Sequence, residues 1–248
     1  MNLIIDAGNT QIKWAVYSLG KQIFKSSVNT WKDFLPEDCF LNFPDIKSAI
    51  ISSVRHIPEE FSSHIEARTL NFWKLDHKLQ LPIKIRYKNP ETLGKDRIAA
   101  AVGGTSIYPG KPILIIDIGT AITFDFVNKN SEFLGGNISP GMRLRFKALS
   151  QFTEDLPEVY PAQNIPLFGQ STIEAIQSGV QTGINYEIDA HINALINKYN
   201  GLRTILTGGD ASFFVRNLKN TIFVVPDLVL DGLNLILEYQ KDKNRVEK

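Results

Sequence analysis

The chain opens with an apolar run at 3–5, stops at Asp6 and a short polar turn, and then alternates apolar and polar positions through IKWAVY. Short runs of this kind, bounded by Gly, Asn and Asp, predict strands. Residues 3–5 and 12–17 therefore read as two strands around a turn at 6–11, and the Gly20 region turns the chain into a third, QIFKSSV. SAIISSV at 48–54 and LPIKIRY at 81–87 predict two more strands, with a helix from Ile57 to Ile65 between them. Asn89-Pro90 ends the second of these, because a residue before proline avoids the helical region and proline lacks an N–H. ETLGKDRIAAAVGG then predicts a helix from near Lys95 that stops by Gly103-Gly104.

YPGKP at 108–112 reads as a linker. After it come a strand (ILIID), a turn (GTA), a strand (ITFDFV) and a third strand (EFLGGNI) running to a Gly-Gly corner. Pro140 can open a helix to about Ser150. Residues 151–170, with three prolines, read as a surface excursion. STIEAIQSGVQTGINYEIDAHINALINKY has long helical periodicity, with Ser171 as its cap. RTILTGG, a short helix, TIFVV and the helix LVLDGLNLILEYQ complete the order. Laid together without gaps, residues 3–16 and 114–127 agree at Leu, Ile, Ile, Asp, Gly and a final Val. This predicts an internal duplication: an α/β chain of two mixed sheets flanked by helices, divided as 1–110 and 111–248, facing each other across a cleft. Two unrelated hairpins with a chance match are the alternative.

Composition narrows the classes. The 248 residues carry a net charge of +1 and 21% charged positions, an ordinary globular balance that favours neither nucleic acid nor membrane as a partner. The one cysteine, Cys39, excludes an internal disulfide and suits a reducing, cytoplasmic setting. No apolar run has transmembrane length, and Asp6 and Asn9 interrupt any signal-like start. His56, His64, His77 and His191 lack zinc-ligand spacing, and no serine sits in a GxSxG elbow.

The candidate chemistry lies at the strand tips. A glycine turn after a strand exposes backbone N–H groups that can hold an anion. In DAGNTQIK, Gly8 allows close approach, Thr10 offers a hydroxyl, and Lys13 brings a positive charge. Asp6 alone would repel a phosphate; its presence makes sense if it holds a hydrated Mg²⁺ that bridges to one. Asp117, Gly119 and Thr120, with Thr123, repeat the arrangement. Gly208 and Gly209 in LTGGDA can admit a flat ligand to the backbone, or simply form a turn into a helix capped by Asp210. Asn137, Ser139 and Gly141 in GGNISPG can turn donors toward a ligand, or form a plain strand-to-helix connection. In LGKDR, Asp96 can take a proton from a hydroxyl and Arg97 can fork onto a carboxylate or phosphate; the bland alternative is a first-turn carboxylate beside a surface arginine.

DAGNTQIK (6–13), LGKDR (93–97), DIGTAITFD (117–125) with GGNISPG (135–141), and LTGGDA (206–211), in this order and spacing, resemble the type III pantothenate kinases of the actin, sugar-kinase and Hsp70-like ATPase superfamily. The resemblance covers essentially the whole chain. It implies a duplicated actin-like ATPase fold, related to ribonuclease H, and transfer of the γ-phosphoryl group of ATP to the primary hydroxyl of pantothenate, the first step toward coenzyme A. It implies Asp96 as the base, with Tyr87, Asn89, Gly94, Lys95, Arg97 and Thr172 toward pantothenate. It places Asp6, Gly8, Asn9, Thr10, Gln11, Ile12, Lys13, Gly119, Thr120, Gly208 and Gly209 toward ATP. Mg²⁺ and a K⁺ or NH₄⁺ ion would be served by Asp6, Asp117 and Asp125. A homodimer with the long helix at its interface is implied too. Lys95 fills the variable position of its motif, where its charge can aid phosphate binding or face solvent. Acetate-type kinases, exopolyphosphate phosphatases and a non-catalytic ATP-binding switch share the duplicated sheet and Asp-Gly turns.

Overall fold

In the computed structural model, which describes residues 1–246, the opening strand is buried on both faces because it is central in its sheet. β1 (Asn2–Ala7) lies between β2 (Ile12–Ser18), to which it runs antiparallel, and β4 (Ser48–Ser53), to which it runs parallel. That position explains why LII is a continuous apolar run. β3 (Lys21–Val28) and β5 (Asn71–Lys74) complete a five-stranded mixed sheet in the order β3-β2-β1-β4-β5. On one face, helices α1 (Pro36–Asn42) and α2 (Glu59–Arg68) contribute Phe40, Phe61 and Ile65 to a core with Leu3, Ile5 and Ile51. Burying each such side chain contributes about 1.5–3 kcal/mol.

The chain forms two compact units. The first holds Met1–Pro109, Asn130–Leu134 and the residues from Asp227 onward; the second holds Gly110–Lys129 and Gly135–Pro226. This differs from a single break after residue 110. The C-terminal stretch, expected with the second part, packs into the first.

In the first unit, β6 (Lys84–Ile85) pairs with the first residues of β9 (Glu132–Pro140), Lys84 opposite Glu132 and Ile85 opposite Phe133. The longer strand expected at 81–87 is cut to two residues at a sheet edge, where Pro82 cannot donate to a ladder. After a 3-10 turn at Pro90–Thr92, α3 (Lys95–Ile107) runs straight through Gly103-Gly104, where the sequence predicted a stop. The reason is α7 (Leu228–Val246), which crosses it there. A Cβ on Gly103 would meet the Leu228 backbone and side chain, and one on Gly232 would fall on the Ala99 carbonyl. α7 is also bound to the sheet by polar contacts: Asn2 Nδ2 donates to Asn234 Oδ1 at 2.9 Å and the Tyr17 hydroxyl to Asp231 at 2.6 Å.

The second unit rests on β7 (Ile113–Ile118), antiparallel to β8 (Ala121–Val127) and parallel to β10 (Arg203–Thr207), in the order β11-β10-β7-β8-β9. β11 is only Phe223–Val224, shorter than TIFVV. β9 continues through Gly135, whose φ of 134° suits glycine, instead of turning at the Gly-Gly pair. α4 (Met142–Gln151), α5 (Thr172–Ile196) and the short α6 (Ala211–Phe214) cover the sheet with Phe146, Ile184, Ile188 and Phe214. Ser171 caps α5 as expected, its hydroxyl accepting from Glu174 N at 3.3 Å.

The two hairpins are alike up to the turn and then differ. Asp6 stands opposite Lys13, whereas Asp117 stands opposite Thr123. The second turn is therefore one residue shorter, Ile12 corresponds to Ile122, and the ungapped match at the final Val is fortuitous.

The α3–α7 crossing generates a test. Gly232→Val should lower stability by about 2–3 kcal/mol through overpacking against helical backbone, read as a lower urea midpoint with an unchanged slope.

Candidate active site

In the first unit the β1–β2 turn is closed by Gly8 N donating to Gln11 O at 3.0 Å. Asn9, Thr10 and Gln11 are exposed, while the Ile12 side chain is fully buried in the core, so only its backbone can reach a ligand. Two residues that sequence reasoning passed over hold this turn. The Ser52 hydroxyl bonds to the Asp6 carboxylate, and the Arg55 guanidinium donates to the carbonyl of Asn9 and, at 2.9 Å, to that of Asn29. Their only sequence signal is a polar SSVR string directly after the apolar strand SAII.

α3 presents the second carboxylate. Asp96 Oδ1 accepts from Arg97 N at 2.8 Å in the helix's first turn. A Cβ on Gly94 would come to 2.6 Å from that oxygen, so glycine is what lets the carboxylate fold back on the helix start. Asp96 lies close enough to Asp6 for its charge to be felt there. Burial first, and then the Asp96 charge, push the Asp6 carboxyl up to about 6, against the Ser52 hydrogen bond and Lys13. Arg97 is 5% exposed, with its guanidinium 5.8 Å from the Tyr87 ring and 5.7 Å from the Phe133 ring. It is an aromatic-packed residue and not the surface arginine of the bland alternative. Asn89 is exposed and its carbonyl accepts the Thr92 hydroxyl at 2.9 Å. Lys95 points its ammonium at the Ser53 carbonyl, 3.0 Å away.

In the second unit, Gly119 N donates to Ala121 O and Gly141 N to Thr120 O, each at 3.0 Å. Gly141 is required by its closeness to the Gly119 and Thr120 carbonyls, and Gly208, at φ 96°, by its closeness to Asp117 and Ile118. Gly208 thus serves the packing of strand tips, while a Cβ on Gly209 would meet open space. Asp210 begins α6 without a side-chain cap bond; burial raises its pKa and Arg143 opposes the rise. Asp125 is 1% exposed and its carboxylate accepts the Thr123 hydroxyl at 3.2 Å. Thr172 is exposed at the start of α5, beside a groove of about 800 Å³ lined by Leu149, Phe152 and Ile176.

Among the described residues, no three Asp, Glu, His or Cys side chains gather into a ready-made metal cage. A half-buried carboxylate that resists ionising beside a second one is a donor pair that a divalent cation would relieve.

Residues 2–194 match the family described as Type III pantothenate kinase. The chain belongs to that family. A type III pantothenate kinase of Phocaeicola vulgatus is 43% identical over 241 residues, 96% of this chain and 98% of the relative. A solved structure from Campylobacter jejuni, provisionally described as a Baf family transcriptional activator, is 25% identical with a TM-score of 0.61, covering 97% of this chain and 99% of its own. A structure from Listeria monocytogenes, provisionally described as an N-acetylmannosamine kinase and 13% identical with a TM-score of 0.58 over 97% of this chain and 99% of that one, shares the fold. The fold is the actin-like ATPase architecture of the sugar kinases.

The raised Asp6 pKa sets a stability test. A carboxyl whose folded pKa is above its unfolded value adds stability that is complete below the ordinary carboxylate range and lost as pH rises through about 6. At pH 7 the ionised Asp6 weighs against the fold of the ligand-free kinase. Asp6→Asn should raise the Tm at pH 7 by roughly 2–6 °C, with the gain vanishing near pH 4; a lower Tm at pH 7 would contradict the assignment.

Proposed function

We propose that this chain, as a type III pantothenate kinase, moves the γ-phosphoryl group of ATP to the primary hydroxyl of pantothenate, with Asp96 as the base. The observation that carries the reading is Asp96 at the head of α3, within electrostatic reach of Asp6, in a chain related along nearly its full length to pantothenate kinases. One Asp96 oxygen is held by the Arg97 N–H, which fixes the carboxylate and leaves the other free to orient an alcohol. The proton moves to Asp96 late, because phosphoryl transfer asks its base mainly for position. Arg97, stiffened by Tyr87 and Phe133, is suited to fork onto the carboxylate or amide end of pantothenate, with Tyr87 and Asn89 beside it.

The exposed turn at Gly8–Gln11 and Lys13 serves the ATP phosphates in the first unit; Gly119, Thr120, Gly208 and Gly209 are the second unit's nucleotide residues. Mg²⁺ held by Asp6 would spread charge away from the transferring group. Asp117 is a second candidate for that ion, and Asp125, buried with Thr123, a candidate for a K⁺ or NH₄⁺ site. The exposed apolar residues of α5 and its neighbours, Ile173, Tyr186, Phe152 and Leu144, support a homodimer through this helix, which would also give Thr172 a partner surface. No described helix is long and apolar enough to cross a membrane. The substrate is a small molecule, and we assign the enzyme to the cytoplasm, whose reducing setting suits a chain with one cysteine.

A coupled ADP-release assay tests the reading. ADP should appear only when pantothenate is present, and Asp96→Asn should lower kcat by roughly 10²–10⁴ without lowering the Tm. ATP binding without pantothenate-dependent ADP release would point instead to a regulatory ATP-binding protein, and a near-normal rate in Asp96→Asn would remove the residue from the base role.

A further inference from the structure

One short segment touches both the Asp6 turn and the head of the Asp96 helix. β4 ends at Ser52-Ser53, and the chain leaves through Val54-Arg55. The Ser52 hydroxyl bonds to Asp6. The Ser53 hydroxyl donates to Arg55 O at 2.7 Å and accepts from Arg55 N at 3.0 Å, which folds the segment into a tight local turn. The Ser53 carbonyl takes the Lys95 ammonium at 3.0 Å, tying the first turn of α3 to the strand end. Val54 N donates to Ala7 O at 3.1 Å, directly behind the Asp6 turn. Arg55 then reaches the carbonyls of Asn9 and Asn29.

These contacts have a common consequence. Asp6 and Asp96 sit on different elements and their like charges push them apart. The unit needs something that fixes their separation, and each of the two elements is bonded to the same short stretch of backbone. Charged donors on carbonyls make stronger bonds than neutral ones, and they hold long side chains in one place. We propose that Lys95 and Arg55 are positioning residues of the kinase: through Ser53 they lock the Asp96 helix and the Asp6 turn into one frame, and Lys95 does not serve as a phosphate or pantothenate ligand. The proposal rests on the assignment of Asp96 as the base.

The test uses the full-length enzyme in steady-state kinetics with ATP and pantothenate varied in turn. Lys95→Met keeps the length and apolar stem of the side chain and removes the donor. It should lower kcat about 10–100-fold, the scale of a small misplacement of catalytic groups, and leave both KM values within about threefold. Lys95→Arg should recover most of the rate. Arg55→Ala should lower kcat as well, and in combination with Lys95→Met the losses should be clearly less than multiplicative, as for residues in one network. In an Asp96→Asn background Lys95→Met should cost little further. A large rise in KM for ATP or pantothenate at preserved kcat would make Lys95 a ligand and overturn the proposal. So would unchanged kinetics, or fully multiplicative losses in the double variants. A wild-type enzyme with no pantothenate-dependent ADP release would instead overturn the assignment on which the proposal rests, so the two failures are distinct. Melting curves of each variant separate a kinetic effect from loss of fold.

Discussion

Two carboxylates held near one another, one of them pressed into the protein, are the constraint around which the first unit is arranged. Asp6 closes a strand that is buried on both faces, and Asp96 opens a helix whose own backbone claims one of its oxygens. Left to solvent, the two groups would drift apart. Here burial and mutual repulsion raise the Asp6 pKa to about 6, and a serine and a lysine only partly offset that. A site with this imbalance holds unfavourable energy that a bound cation would release.

Glycine makes the closeness possible throughout. Gly94 lets the Asp96 carboxylate fold onto the helix start, Gly103 and Gly232 let α3 and α7 cross at backbone distance, and Gly141 and Gly208 hold the second hairpin's tip. These glycines serve packing between elements more than chain flexibility. The α3–α7 crossing also explains why the C-terminal helix returns to the first unit: its leucines cover the helix that carries Asp96.

The strands and the long helices were legible because their apolar periods are long and their caps conventional; Ser171 is a clear case. What escaped was set by tertiary contact. Gly103-Gly104 reads as a helix stop until α7 is seen lying across it, and LPIKIRY reads as a full strand until only two of its residues find a partner. The hairpin repeat was visible at Leu-Ile-Ile-Asp, but the one-residue difference in turn length is a property of register, and it replaces Lys13 with Thr123 opposite the second aspartate. Asp6, Asp96 and Arg97 stood out because charged residues at apolar element ends demand a reason. Ser52 and Arg55 did not, since a polar string after a strand is what any surface turn would show. Lys95 was noticed, but its carbonyl partner lies 42 residues away in sequence.

The most direct measurement is the ionisation of Asp6 itself, followed by carbon NMR of labelled aspartate carboxyls across a pH titration of the ligand-free enzyme and of Asp96→Asn. The account predicts a titration midpoint near 6 in the native chain, displaced downward when the neighbouring charge is removed. A midpoint in the ordinary carboxylate range, or one indifferent to residue 96, would contradict it.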